Sequence, residues 1–220
     1  MSLKSTSNWI LPKEKIDDGD IAGYVISKRG FDKEKFLNPS LDDIPSFKYM
    51  YDSSNAAKSI VNAIESKKRI VIHGDFDADG ICAVSILWEF LYKEVSKQLD
   101  IDVNVLPYIP SRVEQGYGLT ESSLNDVIEL GADLVITVDC GVRDRELINK
   151  YMKDRGLEFV VTDHHQPPAQ LNEELEYPLV HPMYPQHEYP YQTVCGSFVI
   201  FSLVQAIKHE LKMDENISVD

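Results

Sequence analysis

Ile70-Val71-Ile72-His73-Gly74-Asp75-Phe76-Asp77-Ala78-Asp79-Gly80 is a branched apolar run that ends in a histidine and alternating aspartates. A short run with no polar alternation reads as a strand buried on both faces, and the Asp/Gly cluster after it reads as a turn that opens a helix. The same grammar recurs downstream, where Leu134-Val135-Ile136-Thr137-Val138 runs into Asp139 and Phe159-Val160-Val161-Thr162 runs into Asp163-His164-His165. Expected strands are Ile70–His73, Asp102–Leu106, Leu134–Asp139, Phe159–Asp163 and Leu179–His181. Expected helices lie near Ile81–Lys97, Thr120–Leu130, Arg143–Lys153 and Val194–Leu211. Strand followed by helix, repeated, specifies an α/β fold: a parallel sheet of about five strands flanked by helices.

Upstream the pattern is different. Gly19–Arg29 and Asp32–Leu37 read as brief helices broken by Gly30, Asn38-Pro39-Ser40 marks a turn, and Ser53–Lys67 carries apolar residues at amphipathic-helix spacing. The expected organisation is a helical lead over residues 1–68 and a catalytic domain over 69–220.

Composition narrows the class. With 43% hydrophobic residues in 220, the chain can bury a sizeable core. No apolar run approaches the roughly 18 residues of a membrane span, and Met1 to Trp9 lacks the apolar core of a secretory signal. Cys82, Cys140 and Cys195 are far apart, odd in number and form no Cys-x-x-Cys pair, so they read as buried thiols in a reducing cytoplasm. The net charge of -14 disfavours binding along a duplex. It is compatible with carboxylates that hold divalent cations, because the ions reverse the sign of the site.

In an open parallel sheet, ligands collect beyond the carboxyl ends of the strands. Taken singly, Asp79-Gly80 reads as a turn and helix cap, Asp139 as a strand-end turn residue, and His164-His165 as surface polar residues. Three such groups on successive strand ends read instead as one metal centre. Carboxylate with imidazole and no thiolate suits Mn first and Mg second. Two ions sharing Asp139 as a bridge, roughly 3.5–4 Å apart, would balance the clustered charge and serve an in-line phosphoryl displacement by water.

The strings His73 to Gly80, Val138-Asp139-Cys140-Gly141 and Asp163-His164-His165 resemble the first three motifs of the DHH phosphoesterase superfamily. Within it the chain is most similar to the RecJ class of single-strand-specific DNA exonucleases. That similarity rests on Phe36-Leu37-Asn38-Pro39-Ser40-Leu41, Tyr108-Ile109-Pro110-Ser111-Arg112, Gly116-Tyr117-Gly118 and Gln166-Pro167-Pro168, and runs from about Trp9 to about Ile207. The resemblance implies two metals, Mn2+ or Mg2+, one on His73, Asp75 and Asp139 and the other on Asp77, Asp139 and His164. It implies that His165 faces the scissile phosphate and that Asp79 orients the loop. Arg112 corresponds to an arginine that meets a 5' phosphate, against the alternative of a solvated loop charge. Tyr117 either stacks on a base or packs between its two glycines.

Two departures from the RecJ pattern stand out: His181-Pro182 where Asn-Pro is usual, and Cys195-Gly196-Ser197-Phe198 where a glycine-rich run is usual. His181 is either an additional ligand or a structural residue. The activity implied is removal of nucleotides from the 5' end of single-stranded DNA, with a role in repair and recombination. A DHH phosphodiesterase acting on oligoribonucleotides or cyclic dinucleotides, and a non-catalytic replication scaffold of the same fold, are the alternatives. The resemblance further implies a strand with one more metal-binding Asp, and a second domain, beyond the chain's last residues, so that residues 1–220 alone are expected to be weakly active or inactive; Asp220 is a poor substitute for that ligand.

Overall fold

The computed structural model describes residues 19–168, 175–184 and 189–213. It divides into two compact units, the first ending at Ile44 and the second beginning at Pro45. In the first, α1 (Ile21–Lys28) is capped by Asp20, whose carboxylate accepts from the Gly23 amide and pairs with Lys33 at 2.8 Å; α2 (Lys33–Leu37) follows. The division by packing falls earlier than the boundary at residue 69 read from the motifs. Helix α3 (Ser53–Glu65), read as lead, buries Ala56, Ala57, Ile60 and Ile64 in the core of the second unit against α8 (Gly196–Glu210).

The sheet of the second unit has five strands: β1 (Ile70–His73), β2 (Val105–Tyr108), β3 (Leu134–Val138), β4 (Glu158–Thr162) and β5 (Leu179–Val180). Their order is β2-β1-β3-β4-β5 with every pair parallel. Strands β1 and β3 are buried on every residue because both faces are covered. Ile70, Ile72, Ile136 and Val160 pack with α3, α4 (Ala78–Glu89) and α8; Val71, Val135, Phe159 and Val161 pack with residues of α6 (Glu121–Glu129) and α7 (Arg145–Arg155). Side-chain alternation along each strand thus feeds two separate apolar layers.

Strand β2 begins at Val105 rather than Asp102 and contains Pro107. Proline is tolerated there because β2 is the edge strand, where a missing amide costs no ladder bond on the open side. Helix α4 starts at Ala78, three residues before the expected start, because the Asp77 carboxylate accepts from the Gly80 amide at 2.9 Å and caps it. It continues through a π-helical turn, Phe90–Val95, into α5 (Ser96–Leu99), which ends at Asp100 in the left-handed region. No helix among the described residues is long and apolar enough to cross a membrane. Of the three cysteines read as buried, Cys140 is, in the turn after β3, while Cys82 on α4 and Cys195 before α8 are exposed.

Candidate metal centre

With β1 and β3 adjacent and their crossovers leaving in opposite directions, the order of the sheet places its switch point between them. His73 ends β1 and Asp139 follows β3, so the acidic loop after β1 and the turn after β3 meet at one edge. Asp139 is 1% exposed and holds a left-handed backbone, φ 62°, a conformation that costs a non-glycine residue about a kcal/mol or more. The turn is braced below by Thr137, whose hydroxyl donates to the Cys140 carbonyl at 2.8 Å, and by Thr162, which donates to the Thr137 carbonyl at 2.8 Å.

Two clusters of side chains that could hold a metal ion share Asp139. Ligand atoms of Asp75, Asp77 and Asp139 lie within 4.8 Å of one another, and so do those of Asp139, His164 and His165. Neither group includes His73, and Asp77 sits with Asp75 rather than with His164, which differs from the partition implied by the motifs. His73 is fully buried; its Nδ1 is 3.8 Å from the Cys140 thiol and its Nε2 has no hydrogen-bond partner. Asp139 Oδ1 is likewise without one, although His164 Nε2 approaches to 3.0 Å outside hydrogen-bond alignment. Orphaned buried acceptors are rare and costly in proteins, and a divalent cation is the partner that this donor set fits.

Electrostatics follow from this crowding. Burial, with the neighbouring Asp77 adding to it, raises the Asp75 carboxyl; burial raises Asp139 despite its pairing with His164. Burial pushes His73 down to about 4, so its imidazole is neutral and able to ligate at ordinary pH. His164 is raised by Asp139, and His165 by Asp163.

Asp163 was not singled out as a site residue, yet it organises the histidine pair. It is 1% exposed, accepts the amides of His164 at 2.7 Å, His165 at 3.0 Å and Val142 at 3.0 Å, and binds His165 Nδ1 at 2.8 Å. Burial works to raise it, but these donors hold its carboxyl below the usual range. Its signal in the sequence is an acid at a strand end immediately before two histidines. His181 is structural: its Nδ1 accepts from the Met183 amide at 3.1 Å and its Nε2 donates to the His165 carbonyl at 2.8 Å, leaving no nitrogen for a metal.

Asp79 has a different function from a local cap. Its carboxylate accepts from the Gly196 amide at 2.6 Å and from the Ser197 amide and hydroxyl at 2.8 and 2.6 Å, tying the start of α4 to the start of α8. Arg112 is exposed, with its guanidinium 5.1 Å from the centre of the Phe76 ring. Tyr117 is 54% exposed rather than packed, and its hydroxyl reaches His165. Asp220 lies outside the described residues, as does Trp9.

Comparison with known proteins agrees with this architecture. The chain is 34% identical over 202 residues to the single-stranded-DNA-specific exonuclease RecJ of Bacillus subtilis, covering 90% of this chain and 24% of the relative. It is 32% identical over 167 residues to that of Thermus thermophilus, covering 76% and 23%. The chain therefore spans about a quarter of the length of these curated relatives. Among solved structures, exonuclease RecJ bound to manganese superposes with a TM-score of 0.62 at 30% identity, over 76% of this chain and 40% of that one. RecJ from Thermus thermophilus in complex with Mn2+ gives 0.64 at 27% identity, over 88% and 26%. Over residues 69–219 the sequence matches the model of the DHH family's N-terminal domain, and the chain belongs to the DHH family.

Proposed function

We propose that this chain carries the metal-dependent phosphodiesterase centre of an exonuclease that removes nucleotides from the 5' end of single-stranded DNA. The observation that carries the reading is the pair of ligand clusters sharing the buried Asp139, whose Oδ1 meets only the His164 imidazole, together with a buried His73 whose Nε2 has no hydrogen-bond partner. On this grouping Asp75, Asp77 and Asp139 would hold one Mn2+ or Mg2+ and Asp139 with His164 a second, His73 being the further ligand that the resemblance implies. Such cations supply Lewis acidity to a water nucleophile and to the phosphoryl oxygens. The chain's own contribution is positional. Asp163 fixes the imidazole of His165 so that it faces the scissile phosphate, and burial of Asp139 in a strained turn fixes the shared carboxylate. Arg112, exposed and with its guanidinium 5.1 Å from the centre of the Phe76 ring, would take a 5' phosphate with its planar fork of donors. The open face of Tyr117 is suited to stacking on a base.

The test is digestion of end-labelled single-stranded DNA and RNA of one sequence by the complete protein, with Mn2+ and with chelator. Mn-dependent shortening of DNA from its 5' end is expected. Preference for RNA would move the reading to an oligoribonuclease, and absence of both hydrolysis and Mn uptake would leave a scaffold.

A further inference from the structure

The segment between β2 and α6 carries Arg112 and Tyr117, the two residues assigned above to substrate, and packing does little to hold it. Val113 is 94% exposed and Tyr117 54%, so no large apolar side chain anchors the loop between Pro110 and Leu119. What holds it is polar. Gln115 reaches back across the loop, where its Oε1 accepts from the Ser111 amide at 2.8 Å and its Nε2 donates to Asp126 Oδ2 on α6 at 2.7 Å. The backbone closes the same ring, since the Gln115 amide donates to the Ser111 carbonyl at 2.8 Å. Tyr108, the last residue of β2, donates its hydroxyl to the same Asp126 oxygen at 2.8 Å. Burial first, and then that carboxylate, push the phenol up to about 12, so it remains a donor at ordinary pH.

The orientation of the Gln115 amide is fixed by its partners. A backbone N–H on one side demands an oxygen and a carboxylate on the other demands a donor, so the flipped amide would set donor against donor and acceptor against acceptor. One side chain thus brackets the exposed tip, residues 112–114, and ties it to a helix. The far end of the loop is tied separately, the Leu119 amide donating to Asp144 Oδ2 at 3.3 Å. A glutamate at 115 would match the glutamine in shape but would set a second carboxylate 2.7 Å from that of Asp126.

We propose that Gln115, through Asp126, is a positioning residue for the substrate loop: the pair fixes the segment that presents Arg112 and Tyr117 beside the metal centre. The consequence for substrate rests on the phosphodiesterase reading. The dependence of the loop on the pair does not.

The experiment compares wild type, Gln115→Glu, Asp126→Asn, the double variant and Gln115→Ala in the complete protein by two readouts. In the first, the initial rate of tryptic cleavage between Arg112 and Val113 is followed without metal by mass spectrometry. Gln115→Glu should be cut at least about fivefold faster than wild type, because cleavage tracks the population of the open loop. Asp126→Asn keeps an oxygen for both donors and should open the loop about twofold. In the double variant the new carboxamide turns its nitrogen toward the new carboxylate, and the Tyr108 hydroxyl, 2.9 Å from that position, turns to it as well. The cut should therefore return to within about twofold of wild type, the non-additivity that marks two groups in contact. In the second readout, hydrolysis of 5'-phosphorylated single-stranded oligonucleotide with Mn2+, Gln115→Glu should raise KM about tenfold with kcat within about threefold, and the double variant should restore it. A loop that serves only the fold would leave KM unmoved. A Gln115→Glu loop cut no faster than wild type overturns the proposal, as does a folded double variant as open as Gln115→Glu. Gln115→Ala removes the ties without adding charge, so it should be cut faster even if Gln115→Glu does not fold; a wild-type rate in Gln115→Ala also overturns the proposal. If wild type hydrolyses nothing, the phosphodiesterase reading fails, while the tryptic rates still decide whether Gln115 holds the loop.

Discussion

A β-carbon on Gly196 would stand 2.6 Å from Oδ1 of Asp139 and within 2.9 Å of its Cβ. The first residue of α8 must therefore be glycine for the carboxylate to occupy its place. An added methyl cannot be absorbed by swinging a flexible tip, since the buried Asp139 side chain is in contact along its length. Gly196→Ala should lower Mn2+ affinity at least about tenfold, in line with other disturbances of ligand geometry, with the fold retained. Calorimetric titration with Mn2+ beside a far-ultraviolet spectrum checks both halves; wild-type affinity in a folded variant would mean that Asp139 is not a ligand.

Asp139 is expected to oppose stability without metal and to support it with metal. Its carboxyl is raised by burial and one oxygen is unpartnered, so the charged form is disfavoured in the metal-free fold. Asparagine tolerates the left-handed backbone that the turn requires. Asp139→Asn should melt at the same temperature as wild type or higher in chelator, by up to about 1 kcal/mol. It should lose the thermal stabilisation by Mn2+ that wild type shows, because a ligand stabilises only the state that binds it. Hydrolysis should fall below detection. A variant that Mn2+ still stabilises as it does wild type would remove Asp139 from the shared position.

Much of the fold was legible because apolar runs and their punctuation coincide: Ile70–His73 and Leu134–Val138 are buried on every residue and end in the chemistry-bearing loops. Strand β2 was misplaced because its first half looked no more polar than the segment before it and Pro107 argues against a strand unless the strand is known to be an edge. The exchange of capping between Asp77 and Asp79 was hidden for another reason. Within a window of a few residues either aspartate can cap α4; the partners that settle it, Gly196 and Ser197, lie more than a hundred residues downstream, 117 in the case of Gly196. His181 is similar, since its two nitrogens are satisfied by Met183 and by the His165 carbonyl, and only the fold brings the second into reach.

Arg112→Ala should weaken use of 5'-phosphorylated ends, raising KM about tenfold while kcat stays within about twofold, as loss of an anchor affects binding before chemistry. Arg112→Lys should not restore it, because an ammonium cannot make the paired contacts of a guanidinium or keep its stacking on Phe76. Competition between phosphorylated and unphosphorylated oligonucleotides of one sequence measures the effect. Wild type and Arg112→Ala discriminating equally between the two ends would dismiss the anchor.

The metal-free protein should be acid-labile through its buried histidines. Burial lowers His73 from 6.5 to about 4 and lowers His181 as well, so each binds its proton less readily folded than unfolded. Where the unfolded chain binds more protons, stability rises with pH. The contribution of His73 is therefore complete above pH 6.5, and is lost as pH falls through the window between 6.5 and about 4. Asp75 and Asp139 have the opposite sign, since their carboxyls are raised in the fold and the stability they cost grows as pH rises above the ordinary carboxylate value. The histidine term is isolated by difference. Denaturant unfolding of wild type and His73→Leu in chelator, at intervals from pH 7.5 to 4, should give a difference that changes steadily across that window, with wild type losing on the order of a few kcal/mol relative to the variant as pH falls. Curves that stay parallel across that window would show that His73 is not held neutral by the fold, and the case for it as a ready ligand would go with it.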